Sequence, residues 1–367
     1  IAILIGIIVS LIASFYSFLL DFIELNLLDK FIDSQFIIII PAIGGLLVGL
    51  LLENNAMSAR GHGIPAILQT IKSKKVHFSF HDLLIEGFAS TITIGTGGSA
   101  GRIGPVVEIG AGLADLIDKK LDFPFSVYKT ILGCGAAAGI SAVFHAPLGG
   151  IAFVMEILFR DLELKKLTLV IISALSADIF VRNVFNLSPL FNLPSFTINS
   201  SVEHIFFINL GIILGLIAYL FVKTLYSFSR FFDNLNIPLW LKPTIGGLVV
   251  GMTGFFLNEI LGTGIHITNH ILKNNLAIKL LIFIIILKIL MTSITLGSGG
   301  SGGVFAPILM IGSTTGIIFA ELNRLLFGAL IGFNISYGVI GMAAAFAGIS
   351  QAPFSAAIII FELTGNY

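Results

Sequence analysis

Three short runs hold the residues best placed to do chemistry in this chain, and all three pair glycine with proline. They are Gly61-His62-Gly63-Ile64-Pro65, Gly101-Arg102-Ile103-Gly104-Pro105 and Gly303-Val304-Phe305-Ala306-Pro307. Proline can open a helix, and glycine lets the preceding loop bring its backbone close to a ligand. A helix amino end exposes N–H groups that have no intrahelical acceptor, and it carries about half a positive charge. Each junction is therefore a candidate anion site. Taken singly, such glycines make tight turns and close contacts. Three together point to helix amino ends converging on one anion, and neutral dipoles of this kind hold an ion loosely enough to release it.

The elements that must position these junctions are membrane helices. Of 367 residues, 56% are apolar and 11% charged, against roughly 25% charged in soluble domains. The runs Ile1 to Phe22, Phe36 to Leu52, Leu167 to Val184, Phe206 to Val222 and Leu276 to Leu296 have lengths near the ~20 residues of a spanning helix. Leu132 to Phe144 and Pro147 to Phe159 are shorter and adjacent, the pattern of broken or re-entrant helices. Uninterrupted apolar runs argue against a transmembrane β-barrel, whose strands alternate residue by residue. The formal net charge of zero gives no support to nucleic-acid binding. The single cysteine, Cys134, sits among small residues as an apolar filler. The chain opens on Ile1 inside an apolar run and stops soon after another, so it reads as a piece whose start is missing and which lacks further helices beyond Tyr367.

The glycine-rich run Gly95 to Pro105 has a near copy at Gly297 to Pro307, with Pro307 following Pro105 by 202 positions. Pro41-Ala42-Ile43-Gly44-Gly45 recurs as Pro243-Thr244-Ile245-Gly246-Gly247 at the same offset. Gly61-His62-Gly63 is answered by Gly262-Thr263-Gly264, and Ala146-Pro147 by Ala352-Pro353. Four pairs in one order divide the chain into two membrane repeats, 1–200 and 201–367, the second shortened at its end. The four-residue spacings Gly45/Gly49, Gly211/Gly215 and Gly247/Gly251 predict close helix approach. Neither the helix count per repeat nor the basic clusters Lys72 to Lys75 and Arg160 to Lys166 decides whether the repeats are parallel or inverted.

Other chemistries fit less well. Gly297 to Gly302 matches Gly-x-Gly-x-x-Gly, but it lacks the soluble strand before it and the acidic ribose ligand after it that a dinucleotide site needs. Ser141, His145 and Glu156 are scattered and form no specific hydrolase constellation. Neither a metal site nor an organic cofactor is read from the sequence.

With these motifs assembled, the chain resembles the CLC family of chloride channels and proton-coupled chloride transporters. The family's anion motifs, Gly-Ser-Gly-Ile-Pro, Gly-Lys/Arg-Glu-Gly-Pro and Gly-x-Phe-x-Pro, match the three runs quoted above. The resemblance spans essentially the whole chain, with Ala137 to Glu156 and Ala344 to Glu362 similar to the paired helices that follow the motifs. It implies an all-α, polytopic, inverted-repeat fold with broken and re-entrant helices, a homodimer in the lipid bilayer, and one anion pathway per subunit. The ion would be held by Gly61, His62, Gly63, Ile64 and Pro65, by the Ile103-Gly104 helix start, and by Gly303, Val304, Phe305 and Ala306.

The departures are informative. Ile103 stands where CLC transporters carry their gating glutamate, and Ile157 where many carry a second glutamate at the inner end of the proton route. Neither side chain can titrate. Glu108 lies five residues along a helix from Ile103, about 140° round its axis, and is no simple substitute. Glu156 matches the first of the family's two consecutive glutamates and suits a structural role. His62 replaces a serine whose hydroxyl contacts the central anion, and an imidazole N–H can donate in its place. The family's distal tyrosine lies beyond this chain, and Tyr367 is not its equivalent. The reading is passive movement of chloride and similar small monovalent anions across a bacterial inner membrane, without enzymatic chemistry. The alternatives are a proton-coupled antiporter with a different relay, a fluoride exporter and a non-conducting membrane sensor.

Overall fold

The computed structural model describes residues 1–32, 34–53, 67, 78–159, 164–185, 191, 202–273, 276–328, 332 and 334–365. Regular structure among them is helical, and the sole β pairing is an isolated bridge. Apolar composition dictates this outcome, since a backbone in lipid must satisfy its own polar groups. Seven of the helices are long and apolar enough to cross a membrane.

In chain order the helices are α1 (Ala2–Ile23, continuing through a π turn at Glu24–Leu28), α2 (Ile40–Glu53), α3 (Phe80–Gly95), α4 (Ile103–Leu121), α5 (Phe125–Phe144), α6 (Pro147–Phe153, continuing as a π turn, Val154–Phe159) and α7 (Leu164–Phe185). After them come α8 (Glu203–Asp233), α9 (Leu241–Phe256), α10 (Ile265–Lys273), α11 (Ile278–Gly297), α12 (Phe305–Phe327), α13 (Asn334–Ser350) and α14 (Pro353–Thr364). The core lies between α4, α5, α12 and α13, where Val107, Ile140, Phe305, Met342 and Phe346 are buried in one cluster. By contrast, α8 exposes Ile205, Ile208, Ile212, Leu216 and Tyr219 at helical spacing, an apolar stripe suited to lipid. The protein is a multi-pass membrane protein.

Small residues set how closely these helices approach. A methyl on Gly45 would lie 2.1 Å from the Pro243 carbonyl oxygen, and one on Gly247 at 2.1 Å from that of Pro41. Gly49 and Gly251 are equally tight against Trp240 and Ile38, so α2 and α9 touch backbone to backbone. At Gly211 and Gly215, where the spacing predicts the same contact, an added Cβ would meet nothing within 4 Å.

The expectation that Leu132 to Phe144 is too short to cross is corrected by the helix itself. It is the second part of α5, 20 residues from Phe125 to Phe144. Lys129 lowers the hydropathy of its first turns, yet the ammonium is satisfied at 2.9 Å by the Phe159 carbonyl. The neighbouring α6 is short, as its sequence implies. The α5–α6 break is made by His145, which ends α5 in the left-handed region (φ 54°) just before Ala146-Pro147. Gln351, with φ 54°, makes the same break before Ala352-Pro353.

Candidate anion site

Two of the three glycine-proline junctions meet. The amide of Gly101 donates to the carbonyl of Gly303 at 2.6 Å, and the amide of Gly303 donates back to Gly101 at 2.7 Å. This antiparallel bridge ties together the loops that open α4 and α12. Glycine is required at the junction because the backbones nearly touch. A Cβ on Gly104 would lie 3.1 Å from the Gly303 Cα, one on Gly303 2.8 Å from the Gly104 nitrogen, and one on Gly101 2.9 Å from the Ala306 nitrogen. Upstream, Gly97 and Gly299 hold matching positive φ values of 100° and 104°, a conformation that only glycine adopts without strain.

The loops are further pinned by hydroxyls that cross from one half of the chain to the other. Ser99 N–H donates to Thr295 Oγ1 at 3.1 Å, and Ser301 N–H donates to Thr93 Oγ1 at 3.1 Å. Each bond matches the other at the 202-residue spacing. The Ser99 and Thr292 hydroxyls are 2.9 Å apart, whereas the Ser301 hydroxyl donates to Glu86 Oε1 at 2.6 Å. These contacts leave the two helix starts facing one another. The first intrahelical bonds run from Val106 N–H to the Arg102 carbonyl and from Ile308 N–H to the Val304 carbonyl. Ahead of them, the amides of Ile103, Gly104, Phe305 and Ala306 have no acceptor within their own helices, the electrostatic condition for anion binding.

Ile103 is buried at the first position of α4, in the same apolar cluster as Phe144, Phe305 and Phe346. The Phe305 ring lies 5.0 Å from that of Phe144 and 4.3 Å from that of Phe346, centroid to centroid. Val304 caps α12, with Phe305 and Ala306 in its first turn. Ile157 lies in the π turn after α6, half-buried against that same cluster. Gly61, His62, Gly63, Ile64 and Pro65 fall outside the described residues.

Glu156 has a defined job. It accepts hydrogen bonds from the amides of Phe354 (3.3 Å) and Ser355 (2.7 Å) and from the Ser355 hydroxyl (2.6 Å), capping the start of α14. Glu362, which the sequence reading passed over, does the reverse by accepting the amides of Leu148 (3.1 Å) and Gly149 (2.6 Å) at the start of α6. The signal was present, since Glu362 follows Glu156 by the same 206 residues that separate the two Ala-Pro pairs. His145 instead lies 3.4 Å from the carboxylate of Asp178, which Arg182 also holds at 2.8 Å. Glu108 is buried within α4.

Comparison with known proteins agrees with this architecture. Residues 44–367 match the family model described as voltage gated chloride channel. The chain is 30% identical over 334 residues to a putative chloride channel protein, ClcB-like, of Ralstonia nicotianae, covering 90% of this chain and 78% of that protein. Among solved structures, it superposes on a slow cyanobacterial Cl-/H+ antiporter with a TM-score of 0.90 at 24% identity, covering 100% of this chain and 89% of that one. It also superposes on a CLC-type fluoride/proton antiporter with a TM-score of 0.85 at 21% identity, covering 99% of this chain and 89% of that one. At such identities these two likenesses establish the fold alone. With a family match that takes in both glycine loops and every helix from α3 onward, the chain belongs to the voltage-gated chloride channel family.

Proposed function

We propose that this protein lets chloride and similar small monovalent anions move passively through each subunit, uncoupled from protons. The observation that carries the reading is the facing pair of helix starts at Gly104 and Gly303, joined by the Gly101–Gly303 bridge. In this reading the amides of the Ile103-Gly104 and Val304-Phe305-Ala306 starts hold the partly dehydrated ion, and the Gly61-His62-Gly63 loop, followed by Ile64 and Pro65, completes its shell. The absence of a carboxylate at Ile103 and Ile157 supports passive flow, because neither residue can pick up or pass on a proton. Glu156 is occupied as a helix cap, which supports a structural role over a relay. A bacterial inner membrane, two repeats at 1–200 and 201–367, and a homodimer belong to the same reading. For the homodimer, Leu148 of α6 and Phe354 of α14, 206 residues apart, are both exposed next to their caps, as paired positions on a subunit contact would be. The ion is the cargo, and no cofactor or enzymatic step is assigned.

The deciding experiment places purified protein in liposomes loaded with chloride and records chloride efflux together with internal pH. Chloride release without uphill proton movement is expected. Proton uptake against its gradient at a fixed ratio to chloride overturns the passive reading, and folded protein that moves neither ion supports the sensor alternative.

A further inference from the structure

Positions 86 and 288 are 202 residues apart, the spacing of the two glycine loops, yet one is an acid and the other a base. Both side chains are buried. Lys288 of α11 donates to the carbonyls of Ile260 (2.9 Å) and Gly262 (3.0 Å), fixing the loop that corresponds in sequence to Gly61-His62-Gly63. A cation suits fixed carbonyl acceptors, and an ionised carboxylate at Glu86 of α3 cannot repeat that role. Glu86 instead accepts from the hydroxyl of Ser301, two residues ahead of the Gly303 bridge. The acid is thereby anchored to the loop that ends at the facing helix starts.

On the elements packed against α3, the ionisable groups among the described residues are as follows. Helix α1 brings Tyr16 and Asp21, and its π turn brings Glu24. Arg102 caps α4, which carries Glu108, Asp115 and Asp118 followed by Lys119 and Lys120, and Glu53 ends α2. Helix α3 itself bears His81 and Asp82 in its first turn. Tyr16 lies within electrostatic reach of both Glu86 and Arg102. The Ser298-to-Gly302 loop brings only glycines and serine hydroxyls.

We propose that Glu86 is a proton-binding residue of the anion pathway, its carboxylate taking up one proton as an anion settles at the starts of α4 and α12. This rests on the anion site proposed above. An arriving anion adds a like charge beside a buried carboxylate, which favours the neutral acid. By linkage, the neutral acid tightens anion binding by the same factor. For a unit charge about 10 Å from an anion at an effective dielectric near 20, that factor is about tenfold. Flux stays passive, and protons act as its throttle.

Efflux from liposomes is measured from pH 7.5 to 4.5 for the whole chain in the His62→Ser background, which removes the other candidate pH sensor. With chloride held well below saturation, where flux follows occupancy of the site, flux is expected to rise about tenfold as pH falls, whereas adding Glu86→Gln gives the low-pH rate at every pH. Superimposed profiles with and without Glu86→Gln overturn the assignment. A readout that leaves Glu86 in place covers the case of misfolding: chloride added to purified His62→Ser protein in weak buffer at neutral pH takes up protons if Glu86 acts this way, and an unchanged pH while chloride binds overturns it. If liposomes instead show uphill proton transport, the passive reading fails separately. Loss of that transport in Glu86→Gln then supports Glu86 as the proton site, and its survival overturns it.

Discussion

Glu156 caps the start of α14, which carries Glu362, and Glu362 caps the start of α6, which runs on to Glu156, so these two short helices are locked by two reciprocal carboxylates. A carboxylate at a helix start gains both hydrogen bonds and the field of the helix dipole. Replacing Glu362 or Glu156 by Gln keeps an acceptor and removes the charge. Each change is expected to cost about 1 kcal/mol, lowering the thermal midpoint in detergent by a few degrees. Midpoints equal to that of the parent would refute the capping role.

The position of Ile103 yields a sharper outcome. Ile103→Glu installs a carboxylate at the first turn of α4, beside Gly104, where the dipole attracts it. At neutral pH it is expected to sit in the place of an anion and reduce chloride flux, and protonation at low pH should relieve that block. Proton exchange need not return, since Ile157 still offers no carboxylate. Flux that is unchanged from acid to neutral pH in folded protein shows that Ile103 does not stand at the gate.

In the proposed site His62 contributes an imidazole, a group whose unperturbed pKa is about 6.5. Protonation exchanges a neutral donor for a cation, so chloride binding should strengthen below that pH and weaken above it. Chloride titrations at pH 5.5 and 7.5 read the difference directly, and His62→Ser should remove the step near pH 6.5. A step that survives the substitution returns His62 to a structural role.

The bridge gives a packing test. In Gly303→Ala the new methyl meets the Gly104 nitrogen at 2.8 Å and the Gly101 carbonyl oxygen at 3.2 Å, both of them backbone atoms that move only with their helices. Such overpacking costs about 1–3 kcal/mol, and chloride flux per folded protein should fall at least tenfold if the displaced backbone is the anion site proposed above. Gly215→Ala, with nothing within 4 Å, is the control and should remain within twofold of the parent. Equal flux in the two variants would remove the bridge from the pathway.

Much of this arrangement was legible in the sequence because it is written as local chemistry repeated twice. The glycine-proline runs announced the starts of α4 and α12, the Ala-Pro pairs marked the breaks at His145 and Gln351, and the spacings at Gly45 and Gly247 foretold a close helix approach, though not that α2 and α9 are each other's partners. What escaped depended on partners far along the chain. Hydropathy hid the length of α5, since Lys129 reads as a charge until the Phe159 carbonyl is placed beside it. Gly211 and Gly215 have the spacing of a packing motif, but a Cβ at either would meet nothing within 4 Å. Glu86 lies in an ordinary helical stretch, and its contact with Ser301 links residues 215 positions apart.

The Gly101–Gly303 bridge also bears on the order in which the chain is made. Its strands are separated by 202 residues of sequence, and contacts so distant close late, after the intervening helices have inserted. A growing chain that has not yet reached Gly303 has one glycine turn, one helix start and no counterpart across from it. If the anion site is the one proposed above, a half-synthesised molecule conducts nothing, and the membrane that receives it stays sealed until the second loop arrives.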